Sequence, residues 1–379
     1  MQFVSTFSRR TVLRGGALAA AALGLPAFAQ GQRRAGTAPA IIQIVDTSMA
    51  EQDVAKDFLL GSRAAWADIN ARGGLRGQPL RHETLEVDGS AAGVRQALQA
   101  ALADPGCLAL SGTVSDPVAA QVSALLGSEQ AGLAQIAPWL LNSSLALGDR
   151  TFPVFAGRQE QVAHALKSLA LVGVREIGVV FASAREQQLH REDIVRAATA
   201  MKLGVTEYRA TGDLGQLGQR LGPQSPALLL FVGGSPELVQ FTQGLDRQNR
   251  QRFVIGLADV NLQVVQQMGG ARSTPVIATQ AVPMVSSPLP VVRRYREVMA
   301  RLYDEPPVPL SLAGFVAALA TFGVLQGVEG SLHRASVLAA CRRQQPIDLG
   351  GLRVSFDPQR RQVNYVTQTM LTAVGRVVG

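Results

Sequence analysis

From residue 40 onward, short runs of apolar and β-branched residues alternate with longer stretches whose apolar positions recur every three or four residues. The first run, Ile41-Ile42-Gln43-Ile44-Val45, predicts a strand, and behind it Val54, Phe58, Gly61, Ala65 and Ile69 share one helical face. Gly73-Gly74 ends that helix, because glycine accepts the left-handed conformation of a helix C-terminus without a Cβ penalty. Further strands are predicted at residues 85–87, 107–110, 135–137, 177–181, 227–232, 253–255 and 276–278, most of them followed by a helix. Steady alternation of this kind predicts βαβ units, a parallel sheet and the α/β fold class.

Two helices are predicted to open on a cap residue followed by proline, at Asp116-Pro117 and Ser235-Pro236. Such starts set backbone N–H groups at the carboxyl edge of a sheet, where open α/β folds bind ligands and helix amides favour anionic groups. The apolar stretch 310–328 is interrupted by Ser311, Gly314 and Thr321 and bounded by Glu329, which predicts a buried core helix. No internal repeat by motif, low-complexity block or coiled-coil heptad is present.

The start of the chain changes the setting. Ser8-Arg9-Arg10-Thr11-Val12-Leu13-Arg14 precedes an uncharged run over residues 15–25, then Pro26 and Ala27-Phe28-Ala29. The order predicts a signal peptide over residues 1–29, cut after Ala29, with export to the periplasm. Its paired arginines resemble the twin-arginine signal, with Val12 and Arg14 where that signal usually has Phe and Lys. The run covers about half of the ~20 apolar residues that a spanning helix needs, which argues against an anchor. A linker follows over residues 30–39.

Removing three of the 36 basic residues and none of the 28 acidic ones lowers the formal charge from +8 to +5. Arg293-Arg294, Arg342-Arg343 and Arg360-Arg361 are scattered and lack interleaved aromatics, so no nucleic-acid partner is expected. About 350 residues exceed what one core usually fills, which predicts two domains. Cys107 and Cys341 are too few and too far apart for a disulfide framework or a metal site, and are read as free buried thiols.

Enzyme chemistry finds no foothold. His82-Glu83-Thr84-Leu85-Glu86 lacks the second histidine of a zinc-protease helix and lies in a predicted strand. Gly212, Gly215, Gly218 and Gly222 miss the dinucleotide spacing, and no strand precedes them. There is no phosphate loop, G-x-S-x-G elbow or C-x-x-C. No catalytic residue, cofactor or metal is expected.

The segment Ala65-Trp66-Ala67-Asp68-Ile69-Asn70-Ala71-Arg72-Gly73-Gly74-Leu75-Arg76-Gly77 resembles the first helix and turn of the leucine/isoleucine/valine-binding protein family, the type I solute receptors of ABC importers. In the same order the Ala137-Pro138 turn, Phe231-Val232-Gly233-Gly234-Ser235-Pro236-Glu237 and Leu349-Gly350-Gly351-Leu352-Arg353-Val354-Ser355-Phe356-Asp357 support it, and the resemblance runs from about Ala40 to near the end. It implies two Rossmann-like lobes with parallel-rich sheets, joined by three crossover strands near residues 152–155, 278–282 and 348–351. Lobe one would be residues 40–153 plus 281–349, and lobe two 154–280 plus 350–379. It further implies a monomer that encloses a small amino-acid-like or other organic solute by hinge closure. Such a receptor delivers its solute to an ABC permease in the inner membrane; the alternative is a ligand sensor feeding a membrane signalling partner.

The implied pocket departs from the family. After Gly112 the hydroxyls are Thr113 and Ser115, and after Pro138 the family's small residues and threonine become Trp139, Leu140 and Leu141. Two family tyrosines fall on Glu186 and Ser235, and the acid that meets an ammonium falls on Asp259, or on Ala258 with the acid lost. Glu186 and Asp259 suit a cationic group, Arg158 and Arg185 a carboxylate, and Trp139 offers an aromatic face for stacking. Each has a plainer reading: Trp139 as core, Thr113 and Ser115 as caps alongside Asp116, and the charged residues as solvated surface.

Overall fold

A computed structural model describes residues 38–128, 132–143, 145–170, 174–210, 212–356, 365–372 and 374–378. The predicted signal peptide, Asp357 and Arg360-Arg361 lie outside the described residues.

Five parallel strands form the first sheet, in the order β2-β1-β3-β4-β5. They are β1 (Ala40–Asp46), β2 (Arg81–Val87), β3 (Cys107–Ser111), β4 (Gln135–Ile136) and β5 (Thr151–Phe152), connected through α1 (Gln52–Ala71), α2 (Ala91–Ala103) and α3 (Asp116–Ser128). β1 and β3 are buried along their whole length, as largely apolar runs in a parallel sheet should be.

The second sheet has seven strands, in the order β14-β13-β10-β9-β8-β6-β7. Its parallel part comprises β6 (Glu176–Phe181), β7 (Gly204–Arg209), β8 (Leu228–Val232), β9 (Phe253–Gly256) and β10 (Val276–Gln280). Between and before these strands run α4 (Arg158–Ala170), α5 (Ala184–Ala200), α6 (Leu214–Arg220), α7 (Ser235–Leu245) and α8 (Leu262–Gln267). The chain then returns to the first sheet with α9 (Pro290–Leu302), α10 (Pro309–Gln326) and α11 (Arg334–Arg342). A short hairpin of β11 (Ile347–Asp348) and β12 (Arg353–Val354) follows, and β13 (Thr367–Leu371) and β14 (Val377–Val378) add antiparallel to the second sheet.

Each sheet therefore has its own layer of helices, and among the described residues the chain passes from the first sheet to the second after β5 and back after β10. Leu352, Val354 and Phe356 still pack in the first lobe's core, and Phe356 meets the Phe152 ring at 5.7 Å. Residues 347–354, where a crossover was expected at 348–351, instead make a hairpin on α9 and α10.

α10 is the helix among the described residues long and apolar enough to cross a membrane. Here it is core, buried over almost its whole circumference. It meets α1 backbone to backbone: a Cβ on Gly61 would stand 1.7 Å from the Ser311 carbonyl oxygen, and one on Gly314 1.9 Å from that of Phe58.

The stretch that carries the family resemblance is structural. Buried Asp68 accepts from Arg72, Arg294 and Arg301 at 2.8–2.9 Å, which ties α1 to α9. The Asn70 side chain donates to the Leu80 carbonyl and accepts from its N–H, both at 2.8 Å, and Arg76 reaches the carbonyls of Val328 and Gly330. These bonds brace lobe one far from the sheet edges that face lobe two. Cys107 and Cys341 are free and buried in different core clusters.

Candidate functional site

The carboxyl ends of the strands in both sheets run into the N-termini of helices, and a cavity of about 40 Å³ lies where the two edges meet. Lobe one lines it with Ala50, Glu51 and Val54 at the start of α1 and with Asp116 and Pro117 at the start of α3. Lobe two contributes Arg158 from α4, Glu186 and His190 from α5, Gly233 and Gly234 after β8, and Leu257 and Asp259 after β9. The cavity is far below the roughly 300–1,000 Å³ of a ligand pocket, so the cleft is nearly shut.

The lobes are pinned by polar contacts. Trp139 Nε1–H donates to Asp259 Oδ1 at 2.9 Å, and Asn261 Nδ2–H donates to Asp57 Oδ2 at 2.8 Å. Arg158 lies between Asp116 Oδ2 at 3.3 Å and Asp259 Oδ2 at 3.6 Å, one carboxylate from each lobe. Burial works against the Arg158 charge, but Asp259 and Asp116 outweigh it and raise its pKa. Asp259 itself is pushed above the usual carboxylate range by burial, against the pull of Arg158 and the Trp139 bond.

The sequence-derived candidates divide into two groups. Arg158, Glu186 and Asp259 come together on the cavity wall. Arg158 is only 2% exposed, so it is no solvated surface charge; Arg185 is the exposed member, reaching Glu51 Oε1 at 3.9 Å. Burial tends to raise the Glu186 pKa, but a 3.2 Å contact with His190 Nε2, together with the charges of Arg158 and Arg185, outweighs it and holds the carboxylate below its ordinary value.

The remaining candidates sit behind the wall. Trp139 packs between Phe58 and Phe155, with ring centroids at 5.7 and 5.1 Å, and touches the site through its N–H. Leu140 is buried beside it. Ser115 donates to Asp46 Oδ2 at 2.7 Å and accepts from the Val118 N–H at 3.4 Å, so it caps α3, while Asp116 Oδ1 accepts from the N–H groups of Leu141 and Asn142. Thr113 is fully buried and its hydroxyl has no hydrogen-bond partner. Ser235 accepts from the Asn261 N–H at 2.9 Å; it is the first helical residue of α7, and Gly234 holds the cap position expected for it.

Glu51 and His190 escaped the sequence reading. Glu51 follows β1 at the same carboxyl edge, so the edge rule applied to every strand would have found it. His190 stands one helical turn after Glu186, a spacing that brings the two side chains together. Glu51 is pushed up to about 8, first by burial and then by Asp259, Asp46 and Glu186. Among the described residues no cluster of three or more His, Cys, Asp and Glu side chains could hold a metal.

The family model for periplasmic binding proteins matches residues 41–374. The fold is similar to that of an extracellular ligand-binding receptor from Verminephrobacter eiseniae, with TM-score 0.79, 18% identity and coverage of 90% of this chain and 100% of that one. It is also similar to a possible leucine/isoleucine/valine-binding protein from Rhodopirellula baltica, with TM-score 0.78, 18% identity and coverage of 91% and 97%. A third likeness is to the branched-chain amino acid transporter substrate-binding protein of Streptococcus pneumoniae, solved with isoleucine, at TM-score 0.70, 13% identity and coverage of 90% and 97%. A comparison with curated proteins found no match by sequence. With a family model spanning nearly all of the described fold and two α/β lobes closed on a shared cavity, the chain belongs to the periplasmic binding protein family.

Proposed function

We propose that this protein is the substrate-binding component of an ABC importer, and that it captures a small amino-acid-like or other organic solute between its lobes. The observation that carries this reading is a single cavity lined from the carboxyl edges of both sheets, with contacts such as Arg158 to Asp116 and Trp139 to Asp259 bridging the lobes. A wall drawn from two bodies forms only when they close, so solute binding and closure are one event. A cavity of about 40 Å³ also means that a solute loads on a more open arrangement.

On this reading lobe one is residues 40–153 plus the returning helices and hairpin, and lobe two is 154–280 plus the C-terminal strands. Arg158, Glu186, Asp259 and Glu51 meet the solute, and Trp139, Ser115, Thr113, Leu140 and Ser235 shape the wall behind them. On this reading the role is binding without catalysis, as in a solute receptor. Arg9-Arg10 and the apolar run behind it would direct export, with the receptor acting as a monomer in the periplasm.

Thermal melts against a panel of amino acids, amides and aromatic acids test the function, since a ligand that binds only the folded state raises the midpoint. One class is expected to raise it in a saturable way. A panel without any shift, together with silent calorimetry, overturns the reading.

A further inference from the structure

We propose that the enclosed solute carries a net positive charge, with an N–H-bearing ammonium or guanidinium seated at Glu51 between Asp259 and Glu186. This rests on the solute-receptor reading and names its ligand class.

Four carboxylates line the cavity, those of Glu51, Asp116, Glu186 and Asp259, against the guanidinium of Arg158 and the imidazole of His190. Three have their donors. Asp116 takes two backbone N–H groups and Arg158, Asp259 takes Trp139 and Arg158, and Glu186 takes His190. Glu51 is the exception: it stands at the N-cap of α1 without a side-chain cap bond, and its ion-pair partner among the described residues is Arg185, 3.9 Å away at the rim. A carboxylate so placed calls for a cation.

His190 supplies an independent pointer. It lines the cavity, is 5% exposed, and its Nδ1 is buried without a hydrogen-bond partner while Nε2 meets Glu186. That ring nitrogen accepts an N–H when the ring is neutral and donates when it is charged, so in either form it calls for a polar group of the solute inside the cavity. Arg158 Nε is likewise buried and unpartnered and asks for one acceptor. A carboxylate is ill suited to that place, because Arg158 is already shared by two and the other acids would repel a third. A carbonyl or hydroxyl fits. The burial and like charges that push Glu51 up to about 8 agree with this balance: in the empty site it holds a proton where the solute would bring a cation. The charged groups acting on it are Asp259, Asp46, Glu186 and Arg185.

Matched pairs that differ only in the carboxylate test the proposal. Full-length protein is titrated by calorimetry at pH 7 with leucinamide and leucine, phenylalaninamide and phenylalanine, agmatine, and benzoate. The cations are expected to bind, each amide roughly tenfold or more tighter than its acid, with proton release that appears as different heats in Tris and phosphate. Glu51→Gln is expected to remove roughly tenfold or more of the amide affinity and the proton release. Acids binding as well as their amides, benzoate binding alone, or cation binding without proton release overturns the assignment and leaves the receptor reading standing. Silence of every compound in both calorimetry and melts overturns both. The wild-type comparison of amide with acid decides the matter even if Glu51→Gln fails to fold.

Discussion

The indole N–H of Trp139 donates to Asp259 Oδ1 at 2.9 Å, and with that bond a residue behind β4 of one lobe holds a carboxylate behind β9 of the other. Its ring is fixed by Phe58 and Phe155, so the donor is presented by a rigid aromatic cluster. Trp139→Phe keeps the ring packing and removes the donor. A buried hydrogen bond to a charged group is worth about 1.5–3 kcal/mol, and the closed form should lose that much. Small-angle scattering on the unliganded proteins is expected to give a larger radius of gyration for the variant; equal radii mean that the bond does not hold the lobes together.

Arg158 neutralises one carboxylate from each lobe. Arg158→Met leaves both buried and unpaired, a change that costs about 3–5 kcal/mol in comparable sites. The thermal midpoint should fall clearly. Adding Asp259→Asn to Arg158→Met should recover part of the loss, since it removes one of the stranded charges. A double variant no more stable than the single one speaks against the triad.

These two residues also show what was legible in the chain. The β-branched runs specified the parallel strands, because a strand buried on both faces is mostly apolar, as β1 and β3 are apart from Gln43, Asp46 and Ser111. β7 went unread since Gly204–Arg209 is half polar, an edge strand with partly exposed faces. β13 and β14 also escaped, because their pairing is antiparallel and added late. At the site, Arg158, Glu186 and Asp259 could be placed close to strand edges by motif position. Periodicity could not tell whether Arg158 met solvent or two aspartates, because those partners lie 42 and 101 residues away along the chain. Trp139 was legible as an edge residue, whereas its ring partners Phe58 and Phe155 are set only by tertiary packing.

Protonation gives a signed prediction. Glu51 shifts from 4.5 to about 8 on folding, so its contribution to stability is complete below pH 4.5 and is lost as the pH rises through about 8. Asp259, also raised, acts in the same direction. Glu186 is lowered, so its contribution is lost only as the pH falls below 4.5. Without solute, the melting midpoint should decline from about pH 5 to pH 8, and Glu51→Gln should flatten the decline. A wild-type midpoint that rises over this window contradicts the assignment.

Cys107 and Cys341 are buried, and burial pushes both thiols up to about 12. Neither should react with a thiol reagent at pH 8 in the native protein, and both should react once denaturant opens the fold. One fast-reacting thiol in the native state places that cysteine outside the core; none after unfolding means that the two are paired.

If two lobes close around one solute, the solute should leave the cell with the protein. The most direct measurement is mass spectrometry of the small molecules released on denaturing protein purified without dialysis, with calorimetric titration of each released compound back onto solute-free protein. One organic solute with a positive group is expected, rebinding at one per chain. Protein that releases no compound able to rebind, and that stays silent toward cations, zwitterions and anions alike, would contradict closure around a solute.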